Sequence, residues 1–504
     1  MKTIKIILSL TFIYGLLTTT GKAQPSDKII SSAEMVGEIN LIKTSFTALH
    51  PGIYRYETPA QVDSLFNAYR RKVEKPLSER QYFILLSQLV ANVKCSHTYL
   101  NPYNQQDAVR EHLFSKSFLP FLFRIVDGKM IITNNLSTNQ KISRGDEVLN
   151  INGVSVRTLI DSLLTVSRSD GRNGLGKQLD NINIEPADVG YRDYTLFDTY
   201  APLFFHEMFN VKQYVLLTRP YGSKNHRTVI VGAVSKRERQ ASYVRLFGEV
   251  PLHEKGWTLK YISPNTVILK ISDFETWEWK ADYKKWLDSV FAILKTTHVK
   301  NLMVDIRGNE GGDDQARDEV LSYLVNKPFG CDCAMQKLYR FLSIPDTLTP
   351  YLTTWDKSFK QAKDPKEFVL KNGLYQSKAE LNANCITIKP KENHFEGSEF
   401  LLTDARNSST SFTLANVFQQ MHLGTIIGEP TSGNKRGING GQFFFLNLPN
   451  SKFEIDLPLV WGSYGDQNPD EGVKPDHLVK ETQKAIYENR DIQLEYVLSK
   501  IVRH

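Results

Sequence analysis

Apolar residues recur at helical spacing soon after residue 28. The repeating positions are Ile29, Ile30, Val36, Ile39, Ile42, Phe46 and Leu49. Steps of three and four residues place such side chains on one face of an α-helix, and Pro51 ends the pattern because proline lacks the backbone N–H that a helix needs. Similar periods over residues 59–73 and 79–93 predict two more helices. The pattern therefore predicts a helical N-terminal domain over residues 24–112.

The hydrophobic pattern changes near residue 118 to short β-rich runs. Residues 121–126 and 130–133 are two such runs, and residues 142–153 follow with two glycine-containing turn signals. Pairs such as Asn152 with Gly153 favour tight turns between strands. We therefore predict a small β-domain over residues 113–215.

The last part of the chain alternates short apolar runs with amphipathic stretches. The apolar runs lie at residues 266–271, 302–306, 400–403 and 425–427, and the helical patterns lie at residues 279–294, 315–324 and 412–421. Runs of this kind are typical of strands buried in a mixed sheet, and their alternation with helices predicts an α/β fold. We assign residues 216–504 to this core.

The N-terminus has the pattern of a secretory signal peptide. Lys2 and Lys5 precede an apolar run over residues 6–17, and Ala23 supplies a small residue for cleavage. The run is too short to span a bilayer, for which about 20 residues are needed. We therefore predict that residues 1–23 are cleaved, and that the mature chain is periplasmic or extracellular without a membrane span. The alternative is an uncleaved anchor.

The amino-acid composition excludes several classes of protein. The 504 residues carry 62 Lys and Arg against 55 Asp and Glu, a formal charge of +7, and 41% are hydrophobic. This is ordinary for globular proteins and excludes disordered, collagen-like and coiled-coil chains. The scattered basic residues argue against a nucleic-acid partner. No CxxC or HExxH is present, so we predict no metal and no other cofactor, whereas export would permit a disulfide between Cys331 and Cys333 or Cys385.

Two predicted strand-to-helix junctions contain residues that could carry chemistry. Residues 305–313 are glycine-rich, so backbone N–H groups can approach a ligand closely, and Asp313 or Asp314 can cap the next helix. Residues 403–411 place several hydroxyl groups at the start of another helix. Helix N-termini offer unpaired N–H groups that can stabilise an oxyanion. Taken alone, the first junction is a tight turn, and the serines of the second are either helix caps or include a nucleophile.

A nucleophilic serine needs a base, and two candidates are present. His97 follows Ser96 near the end of the helical domain, and Lys435 lies in a glycine-rich loop. A histidine in such a place is often structural, and such a lysine is often solvated. Spacing and periodicity do not choose between them.

Four motifs occur in the order found in a known peptidase family. Residues 302–312 (LMVDIRGNEGG) resemble its strand followed by DxRxNxGG, and Ser409 with Ala415 resembles its nucleophile and helix-packing residue. Residues 428–433 (GEPTSG) resemble its GExTxG turn, and residues 472–476 (GVKPD) its GVxPD motif. By these motifs the chain resembles the C-terminal processing and tricorn-type serine peptidases, a family that also includes retinoid-binding relatives without proteolytic activity.

The resemblance covers most of the chain after the leader and implies its architecture. The α/β core would have the ClpP/crotonase-like fold. Residues 142–156 are similar to the regulatory PDZ-like segment of the family, which implies that the small β-domain is PDZ-like. With the helical region before them, the mature chain would have three domains.

The resemblance also implies a nucleophile and a base. In the processing branch the base is a lysine after GExTxG, at the position that Asn434 holds here, and Lys435 lies one residue further on. In the tricorn branch the base is a histidine directly preceded by an orienting serine, as His97 is preceded by Ser96. We therefore expect Ser409 as nucleophile and His97 as base, with Ser96 holding its tautomer and Lys435 as the alternative base.

The remaining catalytic groups follow from the same resemblance. The oxyanion would lie between the backbone N–H of Thr410 and that of Gly311 or Gly312. The acid of the relay would be Glu471 or Asp470, the carboxylates nearest to the GVxPD motif.

The nucleophile turn departs from the family pattern. Phe412 occupies a position where many relatives have glutamate, and Ser408 or Ser411 is an alternative nucleophile. The expected function is an exported serine endopeptidase that hydrolyses polypeptides through an acyl-enzyme. The alternative is a catalytically inactive peptide- or ligand-binding protein on the same fold.

Overall fold

The computed structural model of the chain describes residues 28–501 apart from 173, 192–193, 250–255, 332–334 and 383–385. The predicted leader, together with Cys333 and Cys385 of the predicted disulfides, lies outside these residues. Among the helices that are described, none combines the length and the apolar character needed to cross a membrane.

The N-terminal region is helical. Its elements are β1 (Ile29–Ile30), α1 (Ser32–Leu49), α2 (Pro59–Lys72), β2 (Leu77–Ser78), α3 (Glu79–Ala91), a 3-10 turn (Pro102–Asn104) and α4 (Asp107–Leu113). Ser31 and Glu34 form a capping box at the start of α1. This helix ends at Leu49 because Pro51 follows. The segment after α3 carries His97.

The next region is built on an antiparallel sheet. Its strands are β3 (Phe121–Val126), β4 (Lys129–Asn135), β5 (Glu147–Ile151), β6 (Val154–Ser155), β7 (Gln213–Arg219) and β8 (Arg227–Gly232), in the order β3-β4-β5-β7-β8 with β6 beside β5. Its helices are α5 (Val156–Leu164), α6 (Leu175–Asp180), α7 (Pro186–Tyr191), α8 (Leu196–Phe204), α9 (His206–Phe209) and α10 (Lys236–Phe247). The boundary expected at residue 215 falls inside β7, so the sheet continues to Gly232.

The helical region and this β-domain share one hydrophobic core. The ring of Phe83 on α3 contacts Phe114 after α4, Tyr200 on α8 and Phe453 further along the chain. Aromatic side chains of this size dominate core energetics, so the two regions are held together rather than hinged.

The rest of the chain contains a six-stranded sheet in the order β24-β19-β18-β11-β10-β9. Its strands are β9 (Trp257–Ser263), β10 (Thr266–Ile271), β11 (Asn301–Asp305), β18 (Ser398–Thr403), β19 (Thr425–Gly428) and β24 (His477–Leu478); β9 is antiparallel and the others are parallel. Helices α11 (Tyr283–Thr296), α12 (Asp314–Leu324) and α14 (Ser409–Gln420) pack with the sheet in one core cluster, and α16 (Ile492–Ile501) packs in another. The mixed α/β fold predicted from the sequence is confirmed.

Shorter elements surround this sheet. They are β12 (Phe329–Cys331), β13 (Gln336–Leu338), β14 (Leu352–Thr353), β15 (Phe368–Lys371), β16 (Leu374–Ser377), α13 (Lys378–Asn382), β17 (Ile386–Ile388), β20 (Gly437–Asn439), β21 (Phe443–Asn447), β22 (Glu454–Pro458), β23 (Trp461–Ser463) and α15 (Gln483–Glu488). The pair β21 and β22 joins the core of the helical region through residues such as Phe444 and Ile455.

The order of the strands brings the two chemistry-bearing junctions together. Strands β11 and β18 are parallel neighbours, with Val304 opposite Leu401. Parallel neighbours end at the same edge of a sheet, and helices α12 and α14 begin just beyond that edge. This edge is where α/β proteins commonly bind ligands.

Candidate active site

A cavity of about 570 Å³ lies at this edge of the sheet. Its lining includes Ser409, His97, Gly311 and Gly312, which were predicted, together with Arg168, which was not. The cavity therefore joins residues of the helical region, the β-domain and the α/β core.

Ser409 has an unusual backbone conformation. It is the first residue of α14, and its φ of 51° lies in the left-handed region. This conformation costs a residue with a Cβ atom roughly 1–2 kcal/mol. Such strain persists where the surrounding structure imposes it, and it is frequent at functional sites.

The hydroxyl groups of this turn differ in their partners. Ser408 Oγ donates to the carbonyl oxygen of Glu310 at 3.0 Å, and the buried Ser411 Oγ lies 2.7 Å from the carbonyl oxygen of Asn309. Ser409 Oγ makes no hydrogen bond with any described residue, and it lines the cavity. The hydroxyl groups of the alternative nucleophiles, Ser408 and Ser411, therefore contact backbone oxygens, whereas the hydroxyl of Ser409 remains available.

The glycine-rich junction packs directly against the nucleophile turn. A Cβ atom on Gly311 would lie 2.8 Å from Ser409 Cβ, and the φ of Gly311 is 117°. A Cβ atom on Gly312 would lie 2.3 Å from a backbone atom of Phe274. Both positions require glycine, for space and for backbone conformation.

The backbone N–H groups at this contact differ in whether they already donate to an acceptor. The N–H of Gly311 donates to Asn309 Oδ1 at 2.8 Å. In the described part of the chain, the N–H groups of Gly312 and Thr410 have no acceptor. Thr410 Oγ1 lies 2.8 Å from the carbonyl oxygen of Gly312 and ties the two segments together. Of the two glycines left open by the sequence, Gly312 is the one whose N–H is available.

His97 is connected to a carboxylate through Ser96. The Ser96 hydroxyl donates to Asp170 Oδ2 at 2.6 Å, its N–H donates to Asp170 Oδ1 at 3.1 Å, and its Oγ lies 3.2 Å from His97 Nδ1. The hydroxyl has a single proton, which the carboxylate accepts, so Oγ is the acceptor toward His97. This assignment places the proton of neutral His97 on Nδ1 and the lone pair on Nε2.

Burial, aided by two nearby cations, favours the neutral form of His97. Burial lowers the pKa of His97, Asp170 raises it, and the cations Arg168 and Lys177 lower it further, with a net shift below its ordinary value of 6.5. The His97 ring and the Ser409 hydroxyl line the same cavity without a hydrogen bond to each other. Such bonds often form only when substrate binds.

The predicted acids contact residues other than Ser96 and His97. Glu471 pairs with Lys474 at 2.6 Å on the partly exposed surface. Asp470 Oδ1 accepts from Tyr56 Oη at 3.2 Å and from Asn434. The carboxylate beside Ser96 is instead that of Asp170, which comes from the loop after α5, 74 residues along the chain.

The alternative base also lies elsewhere. Lys435 Nζ donates to Gln419 Oε1 at 2.8 Å and is not part of the cavity lining. Asn434, at the position of the lysine in the processing branch, contacts the loop of Asp170: a Cβ atom on Gly171 would lie 2.7 Å from its Nδ2. The loop of Asp170 therefore packs against Asn434.

Buried ion pairs fix the β-domain against the nucleophile turn. Arg406, which is 4% exposed, pairs with Asp180 at 2.8 Å and with Asp188 at 3.2 Å. Lys177 on α6 pairs with Glu310 of the glycine-rich junction at 2.9 Å. Breaking such buried pairs is costly, so α6 and α7 hold both junctions in place.

The sequence gives little sign of Asp170, Lys177 and Arg168. Asp170 precedes a glycine in an irregular segment, which is a common turn pattern. The described residues include one group with metal-ligand atoms close together: Cys95, His97 and Asp170, whose ligand atoms lie within 4.8 Å of one another. Both oxygens of Asp170 are engaged by Ser96 there.

Part of the sequence and the overall fold are similar to those of known proteins. Residues 265–479 match the model of peptidase family S41. The fold is similar to mature CPAF in complex with lactacystin, with 13% sequence identity, a TM-score of 0.61, and coverage of 93% of this chain and 97% of that chain. Mature CPAF also matches, with 13% identity, a TM-score of 0.60, and coverage of 92% and 96%. No curated protein matches the sequence significantly. Residues 265–479 therefore belong to peptidase family S41, and the chain is a serine-type peptidase.

Proposed function

We propose that the chain is an exported serine endopeptidase in which Ser409 is the nucleophile and His97 is the general base. One observation carries the proposal: Ser409 is held at positive φ, with its hydroxyl free of partners among the described residues, in the same cavity as His97. An unengaged hydroxyl at a helix N-terminus, in one cavity with a histidine, is an arrangement suited to nucleophilic catalysis.

The reaction begins when Ser409 Oγ attacks the carbonyl carbon of a peptide bond and His97 Nε2 accepts the hydroxyl proton. The carbonyl oxygen becomes an oxyanion that the N–H groups of Gly312 and Thr410 stabilise. His97 then gives the proton to the leaving nitrogen as the C–N bond breaks, which leaves an ester on Ser409. Water attacks this ester while His97 accepts its proton. The bond between the carbonyl carbon and Ser409 Oγ then breaks, His97 returns the proton to Oγ, and the carboxylic product leaves.

Asp170 supports this cycle through Ser96. When His97 is protonated, its positive charge is stabilised by the hydrogen bond from Nδ1 to Ser96 Oγ and by the carboxylate behind it. The same chain of bonds orients the ring with Nε2 unprotonated before each proton transfer. We assign the acid role to Asp170 in place of Glu471.

The substrates are polypeptides whose unstructured ends or segments enter the cavity. The β-domain acts as a PDZ-like module that adds a substrate C-terminus as a strand to its sheet, in which β8 is an end strand. The leader over residues 1–23 directs the chain to the periplasm or the exterior.

The departure at residue 412 does not argue for an inactive protein. Phe412 is 1% exposed in the core, and a Cβ atom on Gly433 would lie 2.5 Å from its ring. The side chain fills the space beneath α14 and is not part of the cavity lining. Experiment therefore has to distinguish the peptidase from a catalytically inactive binding protein.

We expect a fluorophosphonate probe to label Ser409 of the purified protein and to stop its digestion of casein. The probe reacts with serines that a neighbouring base activates, so labelling reports the catalytic arrangement directly. Mass spectrometry of the labelled peptide identifies the serine. A protein that binds peptides but shows neither labelling nor casein cleavage would be the inactive binding protein instead.

Replacing Asp170 by asparagine is expected to lower kcat/KM on a peptide substrate about 10²-fold, within the range of general-base contributions. The amide lacks the charge that stabilises protonated His97, and its NH₂ group cannot accept the proton of Ser96. Steady-state kinetics of Asp170→Asn beside Glu471→Gln measures the effect. The assignment fails if Glu471→Gln is the slower enzyme.

A further inference from the structure

Arg168 is a cation of the active-site cavity that the proposed chemistry does not use. It lies in the loop between α5 and α6, two residues before Asp170, and it lines the cavity with Ser409 and His97. Its guanidinium carbon lies 3.3 Å from the ring centroid of Tyr99. Stacking on an aromatic face holds an arginine in one orientation.

The other cations of the cavity already have carboxylate partners. Lys177 pairs with Glu310, and Arg406 pairs with Asp180 and Asp188. By contrast, no carboxylate oxygen of a described residue lies within the 4.0 Å ion-pair distance of Arg168, whose partner is Tyr99. A half-buried guanidinium without a counter-ion is costly, so the site favours a ligand that supplies one.

The two acids of the cavity that act on the charge of Arg168 form no ion pair with it. Glu310 is held by Lys177. Asp456, another lining residue, accepts hydrogen bonds from Asn101 at 3.0 Å and from Asn104 at 2.9 Å. Both acids act on Arg168 at longer range than an ion pair. The planar fork of Arg168 thus remains suited to a bidentate contact with a further carboxylate.

Arg168 also lies within electrostatic reach of the catalytic group. Its charge lowers the pKa of His97, as that of Lys177 does. A ligand bound to Arg168 is therefore close enough to belong to the same molecule that Ser409 attacks.

We propose that Arg168 binds a carboxylate of the peptide substrate and makes the enzyme selective for anionic segments next to the cleaved bond. The carboxylate comes either from an aspartate or glutamate side chain or from the free C-terminus of the substrate. This inference rests on the proposed peptidase function and adds the substrate class to it.

Matched fluorogenic peptides test the inference and separate the two sources. One pair has glutamate or glutamine at each position that flanks the cleaved bond, and a second pair has a free or an amidated C-terminus. We expect the carboxylate member of one pair to have a kcat/KM about 10- to 100-fold higher, in line with a hydrogen bond to a charged group. Preference within the first pair identifies a side chain, and preference within the second identifies the C-terminus.

Variants show whether Arg168 is the cause. Arg168→Met is expected to abolish the preference while it still cleaves the neutral peptides, and Arg168→Lys is expected to retain part of it. Arg172→Met is the matched control, because Arg172 is an exposed arginine of the same loop that donates to the carbonyl oxygen of Tyr56. Equal cleavage of both members of each pair by the wild type, or equal loss on all peptides in Arg168→Met, would overturn the inference.

Binding separates this inference from the proposed catalysis. Fluorescence polarisation measures the Kd of the same labelled peptides for Ser409→Ala, with and without Arg168→Met. We expect tighter binding of the carboxylate peptide only where Arg168 is present. This result would stand even if the protein cleaved no peptide, and its absence would contradict the role of Arg168 even in an active enzyme.

Discussion

Replacing Ser409 by alanine is expected to lower kcat on a peptide substrate by about 10⁴-fold or more, since the members of a catalytic set act as a unit. The substitution removes the hydroxyl that attacks the carbonyl carbon and leaves the donors of Gly312 and Thr410 in place. Substrate binding should therefore change little. Stopped assays on a fluorogenic peptide measure kcat, and polarisation measures the Kd.

The neighbouring serines provide matched controls. Ser408→Ala removes a hydrogen bond to Glu310, and Ser411→Ala removes one to Asn309, both of them contacts with backbone oxygens. Each is worth about 1 kcal/mol, so these variants should lose stability and keep most of their activity. If Ser408→Ala or Ser411→Ala is the inactive variant while Ser409→Ala still cleaves, the nucleophile has been misassigned.

The conformation of Ser409 shows where sequence reasoning ends. The apolar runs predicted both strands and both helices of the two junctions, because a strand buried on both faces and a helix with one apolar face have distinct periods. Local propensity does not predict a serine at a φ of 51°. Ser409 instead packs closely against Gly311 of the neighbouring strand-to-helix junction, which is a tertiary contact that local propensity does not include.

The acid of the relay shows the same limit. Glu471 was expected because it lies near the GVxPD motif in the sequence. Closeness to a motif along the chain does not measure closeness in space. Asp170 reaches Ser96 because the helical region and the β-domain share one core, which places the loop after α5 beside the end of α3. The sequence of this loop has no periodic pattern that would predict the packing.

The order of the motifs along the chain was a better guide to the peptidase family than any single residue was. Asp305, Arg307 and Asn309 form the internal bonds of the first junction, where Arg307 pairs with Asp305 at 2.8 Å and Asn309 holds the N–H of Gly311. These residues shape the turn rather than contact substrate. Their spacing is therefore visible in the sequence, because it is dictated by the local backbone.

Replacing His97 by alanine is expected to lower kcat/KM by about 10⁴-fold, whereas Lys435→Ala should leave it nearly unchanged. Without the imidazole, the proposed acceptor of the Ser409 proton is lost together with the group that delivers this proton to the leaving nitrogen. Lys435 Nζ donates to Gln419 Oε1 and is not part of the cavity lining. Steady-state kinetics of both variants on one peptide measures the contrast, and circular dichroism checks that each is folded.

The pH profile distinguishes the two bases independently of substitution. His97 accepts a proton only when neutral, so activity is lost as the pH falls through its pKa. Burial lowers that pKa below 6.5, and Arg168 and Lys177 lower it further against the opposing effect of Asp170. The acid limb of kcat/KM should therefore lie below pH 6.5, and it should move to higher pH in Arg168→Met, where one of the lowering charges is gone. A lysine base would instead give activity that rises with pH well above neutrality, and a limb of that kind would exclude His97 as the base.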